Sequence, residues 1–214
     1  KYQLTNYETH EILYEGFYTS FVECLENAVL KKIDLTGVEL SGQNLSRANL
    51  DDAHMPMAKC VKTNFCGSNM SEAVFDGADF TDADLTYACL VQSSFINVNM
   101  MGASFAVTDV TDAIVEKCVF SCPSVFSTLF QCTHVFKANK YIRGNKTIRM
   151  NRVPVVVSGL AREIVYLDNY IKIGNEFILK CDVLAAGNRH LEFLYGVEIA
   201  QFIRPVLFEE YMTA

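Results

Sequence analysis

From Ile33 to Phe120 every fifth residue is large and apolar, with one break at Cys60. The phase runs Leu35, Leu40, Leu45, Leu50, Met55, Cys60, Phe65, Met70, Phe75, Phe80, Leu85, Leu90, Phe95, Met100, Phe105, Val110, Val115 and Phe120. Two residues before each stands a small or modest side chain, most clearly Ala48, Ala53, Ala58, Ala73, Ala78, Ala83, Ala88, Ala103 and Ala113. A helix repeats every 3.6 residues and a strand every two, so a period of five belongs to neither. A short fixed repeat is instead an array whose units bury their apolar residues only by stacking on one another.

Each unit offers one small and one large inward residue, which fill a narrow tube from every side, while the other three positions face out or line corners. The units "SRANL", "DDAHM", "SEAVF", "DGADF" and "TDADL" resemble the pentapeptide-repeat family, in the Ala-Asp/Asn-Leu/Phe triplet and in the polar pair that follows. That resemblance implies a mainly β fold, a right-handed quadrilateral β-helix with four units per square coil. Eighteen units would make four and a half coils, a rod about 20 Å long at the usual strand spacing of about 4.8 Å. Residues twenty apart should then lie above one another on the same side.

Residues 1–32 precede the repeats and read as a strand-helix cap. Ser20 followed by Glu23 is a capping-box pattern, and Phe21, Leu25, Ala28 and Val29 share one helical face suited to plugging the first coil. Residues 121–214 read as a small α+β domain, a β-meander and then a helix. Asp168-Asn169 and Gly174-Asn175 are tight links between the short apolar runs "REIVYL", "YIKI" and "EFILK". In "NRHLEFLYGVEIAQFI" the residues Leu191, Leu194, Tyr195, Ile199 and Phe202 fall on one side of a helix, to pack on the meander or to meet a second copy in a homodimer. The lead-in "EILYEGFYTSFVECLENAV" and the trailing "MNRVPVVVSGL" with "IVYLDNYIKIG" resemble bacteriophage and prophage members of the family. The far end departs from them in lacking a Trp-containing helix.

Charge adds a function class. Net charge is −7, and residues 33–120 hold twelve acidic side chains against four basic ones, Arg47, Lys59, Lys62 and Lys117. Asp52, Glu72 and Asp112 share one column with Gln92, and Asp76, Asp79, Asp82 and Asp84 crowd the middle coils; together these seven are the expected partner-binding acidic face. The competing explanation is turn chemistry, because short polar side chains at corners bond the backbone. From Ser121 to Arg162 no acidic residue occurs, and Lys137, Lys140, Arg143, Lys146, Arg149 and Arg152 follow at intervals of three. Such a run fits a solvated hairpin turning at Gly144-Asn145, or a phosphate backbone. Aromatic interleaving is limited to Phe136 and Tyr141, which disfavours direct nucleic-acid binding through a stacking platform.

No segment reaches the roughly 18 apolar residues of a membrane span and the first residues lack a secretory apolar run, so the expected location is the cytoplasm. The eight cysteines form no C-x-x-C pair and are expected as reduced, small hydrophobes. His10, His54, His134 and His190 are scattered, and no nucleophile motif, phosphate loop or metal spacing appears. No cofactor, metal or catalysis is therefore expected. The expected function is protein binding: an acidic rod imitating DNA and occupying the basic groove of a host DNA-acting protein. Family members that bind DNA gyrase as DNA mimics are the precedent, and the phage-like flanks point toward a defence or restriction nuclease. A scaffold whose C-terminal domain does the recognising, and a nucleic-acid binder using the basic run, are the alternatives.

Overall fold

In the computed structural model, residues 1–128, 130–186, 188–201 and 203 are described. They form two compact units, Lys1–Val153 and Pro154–Ala214. In the first, bridges link Asn44 to Asn64 to Asp84 to Ser104 and Glu39 to Lys59 to Asp79 to Asn99, all parallel and twenty residues apart. The two other sides repeat this with Asn49, Asn69, Cys89 and Asp109, and with His54, Val74 and Ser94. The chain thus winds a square coil of four five-residue sides. We number the sides by the coil that starts at residue 41: first 41–45, second 46–50, third 51–55 and fourth 56–60.

Two inward positions per side build the core. The large residues from Leu35 to Phe120 are at most 3% exposed. Phe75 stacks on Phe95 one coil above at 5.5 Å between centroids, and Phe80 meets both edge-on at 5.1 and 5.8 Å. Burying each such ring stabilises the fold by about 1.5–3 kcal/mol. Where the small position is polar, its hydroxyl finds a carbonyl: Thr63 donates to Leu40 O, Ser68 to Phe65 O, Ser93 to Leu90 O and Thr108 to Leu85 O. Each of these four buried hydroxyls has its partner, so the substitutions for Ala cost the tube little.

The corners follow from the same geometry. Ala53 N bonds Leu50 O and Ala78 N bonds Phe75 O, closing a β-turn on each side. From Gly37 to Lys117 the third residue of every such turn has φ between +55° and +74°. A left-handed residue at that place suits glycine or asparagine, yet Met57, Tyr87 and Val107 occupy it. Gly102 has the opposite problem. A Cβ there would collide with Asp82 Oδ1, so the side chain below leans into its space.

Before the coils, β1 (Tyr2–Thr5) pairs antiparallel with β2 (Ile12–Gly16), followed by α1 (Phe21–Leu30). Ser20 caps α1 by accepting from Glu23 N, and the Glu23 carboxylate accepts from Thr19 N and Oγ1. Cys24, Leu25, Ala28 and Val29 of α1 are buried, Glu26 accepts from Asn49 N, and Asn6 bridges Val38.

Toward the other end the bridges lengthen into strands. β3 (Ser94–Ile96), β5 (Ile114–Glu116) and β7 (Val135–Lys137) stack in one sheet. β4 (Asn99–Met100), β6 (Val119–Phe120), β8 (Asn139–Arg143) and β9 (Lys146–Met150) stack in another. The division expected at Phe120 therefore moves: β7 and β8 continue the parallel stack, and the compact unit runs on to Val153. Ile114 faces Val135 and Val119 faces Lys140, a step of twenty-one, so this coil carries one inserted residue. Asn139 absorbs the shift, with Oδ1 accepting from Cys118 N and Nδ2 donating to Val115 O. Phe126 against Tyr141 and Phe130 against Phe136, 4.8 and 4.9 Å apart, fill this coil.

The second unit is a meander of β10 (Val155–Val157), β11 (Ile164–Tyr166), β12 (Tyr170–Ile173) and β13 (Glu176–Leu179), then α2 (Lys180–Ala185) and α3 (Asn188–Tyr195). The single helix expected through residue 203 is instead interrupted. Gly196 takes φ +84° and its N–H bonds Glu192 O, ending α3 as glycines do at helix C-termini, and the chain is helical again over 197–201.

Two outcomes follow. Val107→Asn relieves a β-branched residue from the left-handed region and should raise unfolding stability by about 1 kcal/mol in urea titration, with the m-value unchanged. Burial pushes the Cys118 thiol up to about 12 and the Cys60 thiol well above its usual range. Because the thiolate is the nucleophile, both should resist a disulfide reagent in the folded protein while the exposed Cys132 and Cys181 react promptly. Fast modification of all eight thiols without denaturant would contradict this packing.

Candidate interaction surface

Position two of each side is the corner tip and points into solvent. On the third side that column reads Lys32, Asp52, Glu72, Gln92 and Asp112; on the first it reads Gly42, Lys62, Asp82 and Gly102. Asp52, Glu72, Asp82 and Asp112 are all exposed. Glu72, Asp82 and Asp112 make no ion pair among the described residues, whereas Asp52 is engaged by the Lys32 ammonium one coil below. Such an exposed pair contributes little stability but cancels the column's charge at that corner.

The remaining acids are part of the turns. Asp79 accepts from Thr81 N at 3.0 Å and Thr81 Oγ1 at 2.5 Å, and Asp84 from Thr86 N at 2.9 Å. Asp76 accepts from Ser94 Oγ at 2.7 Å and Ile96 N at 3.0 Å, across to the next coil. Asn64, Asn69 and Asp109 serve their turns in the same way as Asp79. For Asp79 and Asp84 turn chemistry thus accounts for the residue type, and for Asp76 its bonds to the next coil do.

The seven acids do not share one face, contrary to the expectation. Asp52, Glu72 and Asp112 lie on the third side, Asp76 and Asp79 on the fourth, and Asp82 and Asp84 on the first. The reason is arithmetic: only residues in phase modulo twenty stack, and 76, 79, 82 and 84 are out of phase with 52. The acidity wraps three sides. The second side carries only Arg47 and Asp109 as charges in its full coils, and it exposes Tyr87 and Val107.

The basic run is also divided. Lys137 lies 3.2 Å from Glu116, which Lys117 approaches at 3.1 Å, and these two ammonium groups hold the Glu116 carboxyl below its usual range. Lys140, Arg143, Lys146 and Arg149 project from the β8–β9 hairpin, and Arg152 from the turn after it. In the second unit, Leu191 and Ile199 are 2% exposed within a core shared with Ile164, Ile171 and Ile173, and Tyr195 packs against it. They are therefore not an open dimer face. Leu194 is exposed, and Phe202 lies outside the described residues.

A cluster missed in the sequence lies beside α1. His54 Nδ1 stands 3.4 Å from Asp34 Oδ1, next to the Lys32–Asp52 pair, around a shallow cavity of about 300 Å³ that Val29 and Ile33 also line. The Thr36 hydroxyl and N–H hold the Asp34 carboxyl below its usual range, with His54 adding to this. The twenty-residue step from 32 to 52 and from 34 to 54 was the available signal. Among the described residues no group of three or more His, Cys, Asp or Glu could hold a metal ion, and no helix is long and apolar enough to cross a membrane.

Residues 24–55, 58–95 and 80–121 match the family described as pentapeptide repeats, in eight copies. No curated protein matches the chain. Among solved structures it is similar to a pentapeptide repeat protein from the cyanobacterium Cyanothece, at 20% identity over 38% of this chain and 56% of that one, with a TM-score of 0.38. It is also similar to HetL, a pentapeptide repeat protein involved in heterocyst differentiation regulation from the cyanobacterium Nostoc, at 20% identity over 42% and 62%, with a TM-score of 0.23. A third is QnrB1, a plasmid-mediated fluoroquinolone resistance protein, at 18% identity over 39% and 61%, with a TM-score of 0.19. The chain thus spans 56% to 62% of the lengths of these proteins. The matched stretches coincide with the square coils and their left-handed corners, so the part of the chain that matches the pentapeptide-repeat family is the part that winds as a parallel square β-helix.

Proposed function

We propose that the protein is a non-catalytic binder that presents its acidic coils to the basic groove of a DNA-acting protein, in the manner of a DNA mimic. The observation that carries this reading is the set Glu72, Asp82 and Asp112. These carboxylates stand exposed at left-handed corners, bond nothing in the turn and pair with no cation among the described residues. Turn chemistry accounts for Asp79 and Asp84 but not for a glutamate at a position that suits glycine. A groove that embraces a rod meets several sides at once, so acids on three sides suit it better than acids on one. The same reading takes the protein as phage-encoded and acting in the host cytoplasm on a topoisomerase such as gyrase or on a defence nuclease. It rests on the flanking segments' resemblance to phage members of the family.

A second reading has its own observation. Phe193, Leu194 and Val197 are 84%, 45% and 56% exposed at the end of α3, an apolar group on a small unit. Under it the second unit recognises the partner and the coils are a spacer.

Capture from a bacterial lysate on the immobilised protein separates the two. Mimicry predicts that DNA-acting proteins are retained, that duplex DNA and 0.5 M salt release them, and that E72K/D82K/D112K lowers retention at least tenfold. Retention that ignores salt and the triple reversal but is lost in F193D would overturn mimicry in favour of the adaptor.

A further inference from the structure

The first side of the coils, with the corner that follows it, is a face whose charges balance. Its four levels are residues 41–47, 61–67, 81–87 and 101–107, stacked through the parallel bridges Asn44–Asn64–Asp84–Ser104. They carry Arg47 and Lys62 against Asp82 and Asp84 and no other charge. A chain of net charge −7 repels its own copy over much of its surface, but not over this face. Large apolar side chains stand out on the upper two levels, Tyr87 at 63%, Met101 at 37% and Val107 at 72% exposure. The lower two levels hold Ser41, Gly42 and Gly67 at the same corners, and the Arg47 stem runs beside Gly67.

The turns use half of the polar atoms on this face and leave a complementary half. Asn64 Oδ1 accepts from Cys66 N, and Asp84 Oδ1 accepts from Thr86 N. Asn64 Nδ2 and Asp84 Oδ2 bond nothing among the described residues. Lys62 and Asp82 are exposed neighbours on one corner column, as Lys32 and Asp52 are on another. Lys32 and Asp52 pair, whereas Asp82 leans away from Lys62, over Gly102, and meets no cation among the described residues.

We propose that two copies of the chain associate through this face, about a two-fold axis that crosses the rod between the second and third levels. Such an axis reverses the order of the levels and sets each column opposite itself. Lys62 then faces Asp82 of the second copy, Asn64 faces its Asp84, and Gly67 faces its Tyr87. Ser41 faces Met101, and Arg47 faces Val107. Every pairing occurs twice, as in any isologous contact. Cation meets anion, free donor meets free acceptor, and each large side chain meets a small residue or an arginine stem. The Tyr87 ring at Gly67 also gains the neighbouring Arg47 guanidinium. Other arrangements fail the same comparison. An axis along the rod would set Asp84 against Asp84 and leave Lys62 opposite Gly67, and the crossing axis applied to the third-side corner would set Asp52 against Asp112. Four levels at the usual strand spacing make the face only about 19 Å tall, so the dimer is weak and reversible. It is independent of mimicry: it covers Asp82 and leaves Glu72 and Asp112 open.

The test is analytical ultracentrifugation of the full chain from about 5 to 500 µM. A monomer–dimer equilibrium is expected, with a dissociation constant on the order of 10–100 µM. K62D and D82K should each weaken it at least tenfold, because either change sets like charges against one another. The swap K62D/D82K should restore it, and so should an equimolar mixture of the two single variants, in which every cation again faces an anion. Lysine and aspartate already occupy such corners at Lys117 and Asp112, so the fold accepts both changes. Y87S should weaken the dimer at least threefold. A monomer throughout the range overturns the proposal. Weakening in the single variants without recovery in the swap and the mixture overturns the two-fold register. A dimer that ignores K62D and D82K but is lost in L194D overturns it too and assigns self-association to the second unit.

Discussion

The rest of the first unit depends on one ladder of backbone hydrogen bonds with a fixed step. Leu45 N bonds Asn64 O, Phe65 N bonds Asp84 O and Leu85 N bonds Ser104 O, while Asn64 N bonds Gln43 O and Asp84 N bonds Thr63 O. Each coil is thereby stitched to its neighbours on all four sides, and twenty residues must complete each turn. Four right-angle corners in twenty residues leave five for each side. Within five, only two side chains can point inward, and they must differ in size to fill a square tube. The five-residue alternation of large and small is the sequence's answer to that constraint.

The corners carry the cost and the surface chemistry. A left-handed residue at each corner tip makes the turn sharp and throws that side chain into solvent. Glycine and asparagine meet the need cheaply, and part of the chain's acidity is of a related kind at Asp79, Asp84 and Asp109, whose carboxylates hold the next turn's N–H. What this economy leaves over is more telling. Glu72, Tyr87 and Val107 are exposed residues at left-handed corners with no evident benefit to the turn. Deviations from local preference that the fold does not reward are where binding is best sought.

Much of this was legible in the chain itself. The period of five, the coil of twenty, the meander links at Asp168-Asn169 and Gly174-Asn175 and the capping serine all have local signatures. The end of the coils was misread because one inserted residue breaks the phase: Val125 and Phe130 still keep it, after which it resumes one place later at Phe136 and Tyr141. Allowing for one phase slip would have carried the repeat through β8. The acidic face was misread for a different reason, since sequence crowding from 76 to 84 is not crowding on a square column, where nine residues span two sides. Lys32 lies outside the repeat by composition but inside it by register, so its pairing with Asp52 needed the same arithmetic applied one coil earlier. The break at Gly196 was hidden because the apolar spacing continues through it.

The twenty-residue register is tested most directly by a double-mutant cycle on Phe75 and Phe95, which lie twenty apart in sequence and stack at 5.5 Å and 11°. Unfolding free energies of F75L, F95L and the double variant should show a coupling of about 0.5–1.5 kcal/mol, as expected for aromatic rings in contact. The same cycle on Phe65 and Phe95, thirty residues apart, should give nearly none. Additive effects for Phe75 and Phe95 would contradict the square coil, and with it the placement of every charge on its surface.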